Sequence, residues 1–211
     1  MSDVMTPDHF VNALARQPVP ANVYNPYAFQ HQLAGEICRQ NLVCYLDSMV
    51  NQKPKTLLVG EALGYRGGRL TGIPFTSERL LEKNSATHIF DFSACRLLHP
   101  DHPTAEATAT IMWNGFNQLK VPLLLWNAFP YHPHKPEDPT SNRPPKAGEL
   151  KIGFEYLSKM LVMFDLKQVI AVGRKADHML SRHEIGHVAV RHPSHGGKTE
   201  FLKGLFKHIG Q

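Results

Sequence analysis

Four residues of this 211-residue chain carry side chains that a catalytic or base-binding site needs, and their settings are alike. Glu61 follows the apolar run 56–60, Asn127 closes the run 121–127, and His192 stands just beyond the run 186–190 in His192-Pro193-Ser194. Phe75 ends Gly72-Ile73-Pro74-Phe75, in a stretch that glycines and prolines keep irregular. A carboxylate can position water, an amide offers both donor and acceptor, an imidazole can stabilise developing charge, and an aromatic ring supplies an apolar face. A phosphate cradle, a plain turn and a base pocket are three readings of the glycine-rich segment 60–75.

The first of these fails on spacing. No G-x-x-x-x-G-K-[ST] is present, and Gly60-x-x-x-Gly64 lacks the G-x-G-x-x-G geometry needed at a pyrophosphate. His132-x-His134 and the pair His192 and His195 raise metal binding weakly, but proline interrupts both stretches, and no metal is expected. The absence of a G-x-S-x-G elbow disfavours a serine nucleophile. Each of the four residues also has a plain reading: Glu61 as a helix-initiating acid, Asn127 as a turn former, His192 as a structural hydrogen-bonder, Phe75 as core. Their fall at the ends of separate strands is what favours one shared site.

Those strands and their helices follow from periodicity. Thr6-Pro7-Asp8 signals a helix over 7–16. Phe29, Leu33, Ile37, Leu42, Leu46 and Met49 mark a longer helix ending by Lys53-Pro54. Short β-forming runs at 56–60, 121–127, 168–173 and 186–190 alternate with helical stretches at 104–119, 147–164, 174–182 and 196–209. That alternation predicts an α/β fold: three α-β-α layers around a central, mainly parallel four-stranded sheet. In such sheets ligands bind beyond the carboxyl ends of the strands. The segment 129–145 is too rich in proline for regular structure, and a loop that long is usually functional or mobile.

Composition sets the outer limits. A 42% hydrophobic chain of this length can bury a full core as one domain, 1–211, with 1–53 as a helical N-terminal part. No apolar run spans a membrane and no secretory signal is evident, so a cytoplasmic monomer is expected. Three cysteines, Cys38, Cys44 and Cys95, argue against a disulfide framework. A net charge of +5 and a pI near 9.1 favour a polyanionic partner modestly. The cations recur in separate loops, as suits a surface that tracks a phosphate backbone.

The set strand-GEALG, GIPF, strand-N and HPS resembles the uracil-DNA glycosylase superfamily over about residues 57–197, with Leu63 where G-E-A-P-G branches have proline. The resemblance implies a monofunctional glycosylase of base excision repair, without a lyase step. It would hydrolyse the N-glycosidic bond of uracil, or of other deaminated bases, in single- or double-stranded DNA. Glu61, Asn127 and His192 would be catalytic, and Gly60, Ala62, Phe75, Asn127 and His192 would bind the base. Arg66, Arg69, Arg143, Arg191, Ser194, His195 and Lys198 would meet DNA. Branches with this box commonly hold an iron–sulfur cluster on four cysteines. With only three cysteines here, no cofactor is expected. The usual apolar wedge after H-P-S is missing: Ser194-His195-Gly196-Gly197-Lys198 stands there instead. Then His195 intercalates, another loop replaces it, or single strands or mismatches are preferred. Two rivals stay open: a non-catalytic nucleic-acid-binding protein with a glycosylase-like pocket, and an unrelated α/β hydrolase or nucleotide-processing enzyme.

Overall fold

The computed structural model describes residues 5–82 and 90–209. Helix α1 (Pro7–Arg16) opens as its capping signal predicts, with the Thr6 hydroxyl accepting from His9 N at 3.3 Å and Asp8 in the first turn. A two-residue strand β1 (Val23–Tyr24) and a 3-10 turn (Phe29–His31) lead into α2 (Gln32–Gln52). The sequence pattern placed Phe29 and Leu33 on the buried face of this helix; both are exposed instead. Phe29 lies under the guanidinium of Arg39, 4.4 Å from the ring centre, and packs outside the core.

The remaining elements are β2 (Thr56–Ala62), α3 (Gly68–Thr71), α4 (Glu78–Glu82), a second 3-10 turn (Phe92–Ala94), α5 (Ala107–Phe116), β3 (Leu123–Phe129), β4 (His132–Pro133), α6 (Ala147–Met163), β5 (Gln168–Val172), α7 (Arg174–Arg182), β6 (Val188–Val190) and α8 (Lys198–Ile209). Strands β3, β2, β5 and β6 form, in that order, a four-stranded sheet in which every neighbouring pair is parallel. Helices flank it, giving the expected α-β-α layering.

All seven residues of β3 are buried, which is why its sequence is a continuous apolar run rather than an alternating one. The Trp126 ring meets Phe10 of α1 edge-on at 5.3 Å. Next on that face, Gly153 of α6 lies so close to the Ala128 carbonyl that no β-carbon fits between them. β3 is an edge strand, and the hydroxyl of Tyr45 serves its open side by donating to Leu123 O at 3.4 Å and accepting from Leu125 N at 2.8 Å.

The segment 129–145, expected to lack regular structure, contains β4, paired antiparallel with β1 through Val23–Pro133 and Tyr24–His132. Proline is tolerated there because this ladder is only two residues long and lies outside the main sheet. No helix among the described residues is long and apolar enough to cross a membrane.

Chain direction in the sheet locates the crevice. From β2 the chain moves outward to β3; from β5 it moves the opposite way to β6. Connections therefore diverge beyond the carboxyl ends of β2 and β5, leaving an open switch point there. The close approach at Gly153 makes a direct test of the α6–sheet packing. Gly153→Ala should cost about 1–3 kcal/mol by overpacking, read as a lower urea midpoint. An unchanged midpoint would mean that α6 does not sit this tightly on β3.

Candidate active site

The register of β2 and β3 pairs Gly60 with Asn127. In a pleated sheet, paired residues share a face, so Asn127 points opposite to Trp126 and Ala128. On that face Gly60 has no side chain, and its space is taken by two groups. A β-carbon on Gly60 would collide with the Phe75 ring tip and lie 2.5 Å from Asn127 Oδ1. Asn127 is 2% exposed, and its Oδ1 has no hydrogen-bond partner. A buried acceptor left open in this way costs free energy and calls for a donor.

Phe75 reaches Gly60 because its loop is held in an unusual backbone. The residue has φ +57, in the left-handed region that side chains rarely adopt. Trp113 Nε1 donates to the Phe75 carbonyl at 2.9 Å. Beneath it the hydroxyls of Thr71 and Thr76 meet at 2.6 Å, and Thr76 donates on to Ile73 O at 2.7 Å. Tyr27 donates to Gly72 O at 2.9 Å. Backbone strain of this kind persists only where the surroundings over-determine it.

Leu63 takes part in the same construction. Its side chain is buried, its N–H donates to Tyr131 O at 3.2 Å, and its carbonyl accepts from His132 Nδ1 at 2.9 Å. A proline in this position could not make the first of these bonds. Leucine here ties the loop after β2 to the segment after β3. His132 and His134 both spend Nδ1 on backbone carbonyls. Among the described residues, no three His, Cys, Asp or Glu side chains gather as a metal would require.

Glu61, Ala62, Phe75, His192 and His195 line one cleft of about 350 Å³. Glu61 is partly buried, and that burial raises its pKa above 4.5, while Lys175 at the start of α7 pulls it back down. The His192 ring is held by its own turn. Ser194 N–H donates to Nδ1 at 3.2 Å, and the Ser194 hydroxyl lies 2.7 Å from the same nitrogen. With Nδ1 accepting, the proton resides on Nε2, which leaves an N–H free to donate. His195 Nδ1 lies 3.0 Å from Ser194 Oγ and extends the chain outward. Burial, then His195 and Arg191, lower the His192 pKa below 6.5, so the neutral form prevails at pH 7. Asn127 does not line this cleft; it shares the space above Gly60 with the tip of the Phe75 ring.

The basic residues divide. Arg66, Arg191, His195 and Lys198 are exposed, and Ser194 is half-buried. His195 (φ +50) and Gly196 (φ +75) make a tight hook before α8, with the imidazole at its tip. Arg69 lies elsewhere: its guanidinium is sandwiched between Tyr24 and Tyr65, 4.5 and 5.0 Å from the ring centres, in a second cavity of about 770 Å³. Arg143 faces inward, contrary to its expected place on the DNA surface. All five of its N–H donors are used: Nε on His134 O, the terminal nitrogens on both Glu149 oxygens and on Asn22 and Pro144 carbonyls. None is left for a phosphate. Three polar residues of the cleft, Glu106, Thr108 and Asn142, are not marked by any sequence pattern, and Glu106 is the ionisable one. An acid at the start of a helix ordinarily signals a cap, and nothing local distinguishes this one.

Residues 48–208 match the sequence model of the family described as the Uracil DNA glycosylase superfamily. No curated protein matches the chain. Among solved structures, the crystal structure of wild-type SMUG2 from Pedobacter heparinus is similar, with a TM-score of 0.67 at 14% identity, covering 98% of this chain and 97% of that one.

The Arg143–Glu149 pair, only 12% and 4% exposed, anchors the segment before α6. Arg143→Ala leaves a buried carboxylate without its partner and should cost about 3–5 kcal/mol, measured by denaturant unfolding. Stability equal to wild type would return Arg143 to the surface.

Proposed function

The chain belongs to the uracil DNA glycosylase superfamily, a family of DNA glycosylases, and from this we propose that it releases uracil and other deaminated bases from DNA by hydrolysis of the N-glycosidic bond. The observation that carries the reading is the convergence of Glu61, Phe75 and His192 on one cleft, reached from three separate segments. A glycosidic carbon inside a duplex is out of reach, so the nucleotide must leave the stack or come from a single strand.

The extruded base enters as the Phe75 ring turns away from Gly60, and the ring then covers one face of the base. This exposes Asn127, whose open Oδ1 accepts from the N3–H of uracil while its amide N–H donates to O4. Cytosine presents the reverse pattern and leaves both groups unpaired. As the C1′–N1 bond lengthens, negative charge gathers on the leaving base, and His192 Nε2–H donates to it. A neutral imidazole suits this task, since it stabilises the anion without first having to hold a full charge in a buried site. Glu61 holds the attacking water and faces the cationic sugar, as carboxylates do in other glycoside hydrolyses.

Water rather than an amine attacks, so the product is an intact abasic site and no lyase step follows. Arg66, Arg191 and Lys198 meet the phosphates, which makes binding fall with salt. His195, at the tip of its hook, is the side chain offered to the gap left by the base.

The decisive assay is release of uracil, hypoxanthine and xanthine from single- and double-stranded oligonucleotides. Glu61→Gln and His192→Ala should each slow single-turnover release by about 10²–10⁴-fold. Retention of DNA without release by the wild-type protein would identify a binding module instead. The pH profile offers a second check. Release requires ionised Glu61, so the rate should fall as pH drops through a pKa above 4.5, and Glu61→Gln should lack that limb. An unaltered acid limb in this variant would remove Glu61 from the reaction.

A further inference from the structure

Glu106 takes no part in the steps above, although it lines the same cleft as Glu61, Phe75 and His192. It is the N-cap residue of α5, yet its side chain makes no capping bond. The carboxyl is turned over the loop after β2. There a β-carbon on Gly64 would lie 3.1 Å from Oε1, and one on Gly67 would overlap Oε2. Two residues without side chains thus leave the volume that this carboxyl fills. No hydrogen bond or opposite charge within the protein engages it, and burial alone pushes its pKa up to about 7.

The ionisable groups around the cleft do not supply the missing partner. Glu61 comes from β2, His192 and His195 from the turn after β6, and Arg143 is committed to Glu149. The neighbouring Arg66 contributes its carbonyl oxygen, to Thr104 Oγ1. A partly buried polar group with no partner in the protein, turned into a ligand cleft, is placed to serve the ligand.

We propose that Glu106 is a specificity-determining residue of this cleft, its carboxyl O–H donating a hydrogen bond to a carbonyl oxygen on the extruded base. The inference rests on the base-excision reading. Deamination replaces an exocyclic amino group by a carbonyl oxygen, so the deaminated base gains an acceptor where the normal base has a donor. A protonated Glu106 gives that oxygen a second donor beside the Asn127 amide, on its other lone pair; an ionised one sets a negative oxygen against it. The part of this recognition that Glu106 adds is therefore present below neutral pH and lost as pH rises through the titration of Glu106, while the Asn127 contact stays.

The test is single-turnover release of uracil and hypoxanthine from single-stranded DNA by the full-length protein, followed across the neutral pH range. Wild-type release should fall about tenfold on the alkaline side, the fold-change of one lost hydrogen bond. Glu106→Gln keeps an N–H donor but cannot ionise, so it should retain most of the acid-side rate without the alkaline fall. Glu106→Ala should be about tenfold slower throughout. An alkaline fall that survives in Glu106→Gln, or a Glu106→Ala variant with the rate and profile of wild type, overturns the assignment. The isosteric glutamine variant decides the matter if the alanine variant does not fold. An inactive wild type defeats the excision reading and this inference together, whereas an active wild type with indifferent variants defeats this inference alone.

Discussion

The absence of a side chain at Gly60 is the constraint around which the site is organised. Gly60 stands near the end of a central strand, paired with Asn127 on β3, and only hydrogen occupies the space above its Cα. Into that space come the tip of the Phe75 ring and the Asn127 amide. Any larger residue would push both away, and the sheet could not yield, because β2 is held by parallel ladders on either side. A core packed to crystal-like density passes such a displacement on rather than absorbing it.

The rest of the architecture keeps the surrounding loops from relaxing. Phe75 holds a left-handed backbone against its own preference, and the Trp113 bond together with the Thr71–Thr76 pair over-determines it. Leu63 fastens the loop after β2 to the segment after β3 through both of its backbone polar groups. The Arg143–Glu149 pair fixes the same segment from its other end. A buried ion pair of this kind is weak evidence for stability but a strong geometric constraint, since its five donors must all be placed at once.

Two carboxyls share the cleft under different electrostatic conditions. Glu61 has Lys175 nearby, which favours its anion; Glu106 is more strongly desolvated and has no compensating charge, which favours its acid. Environments that separate the titrations of like groups allow one to hold water and face positive charge while the other donates a proton to a hydrogen bond. His192 completes the set as a neutral donor, its tautomer chosen by the N–H of Ser194.

Much of this was legible in the linear chain. Apolar runs bounded by glycine and proline marked all four strands of the main sheet, and the Thr6 cap placed α1 to the residue. The rule that ligands bind beyond the carboxyl ends of parallel strands assigned Glu61 and His192 to one shared site, since strand ends are marked by local pattern. What local pattern could not reveal was pairing between distant segments. β4 exists because Val23 and Tyr24 come alongside a proline-rich loop more than a hundred residues away. Arg143 and Glu149 are six residues apart, but only the turn into α6 aims the guanidinium inward. Arg69 lies between tyrosines from two different segments rather than facing DNA beside the cleft. Glu106 reads as an ordinary helix-starting acid until the packing of its segment over Gly64 and Gly67 partly desolvates it. The sequence by itself determined the elements and which chemically able residues stand at their ends, because periodicity and strand ends are local properties. Tertiary structure alone decided which of those side chains are free, paired or desolvated, because each of those conditions is set by neighbours that the chain brings from far away.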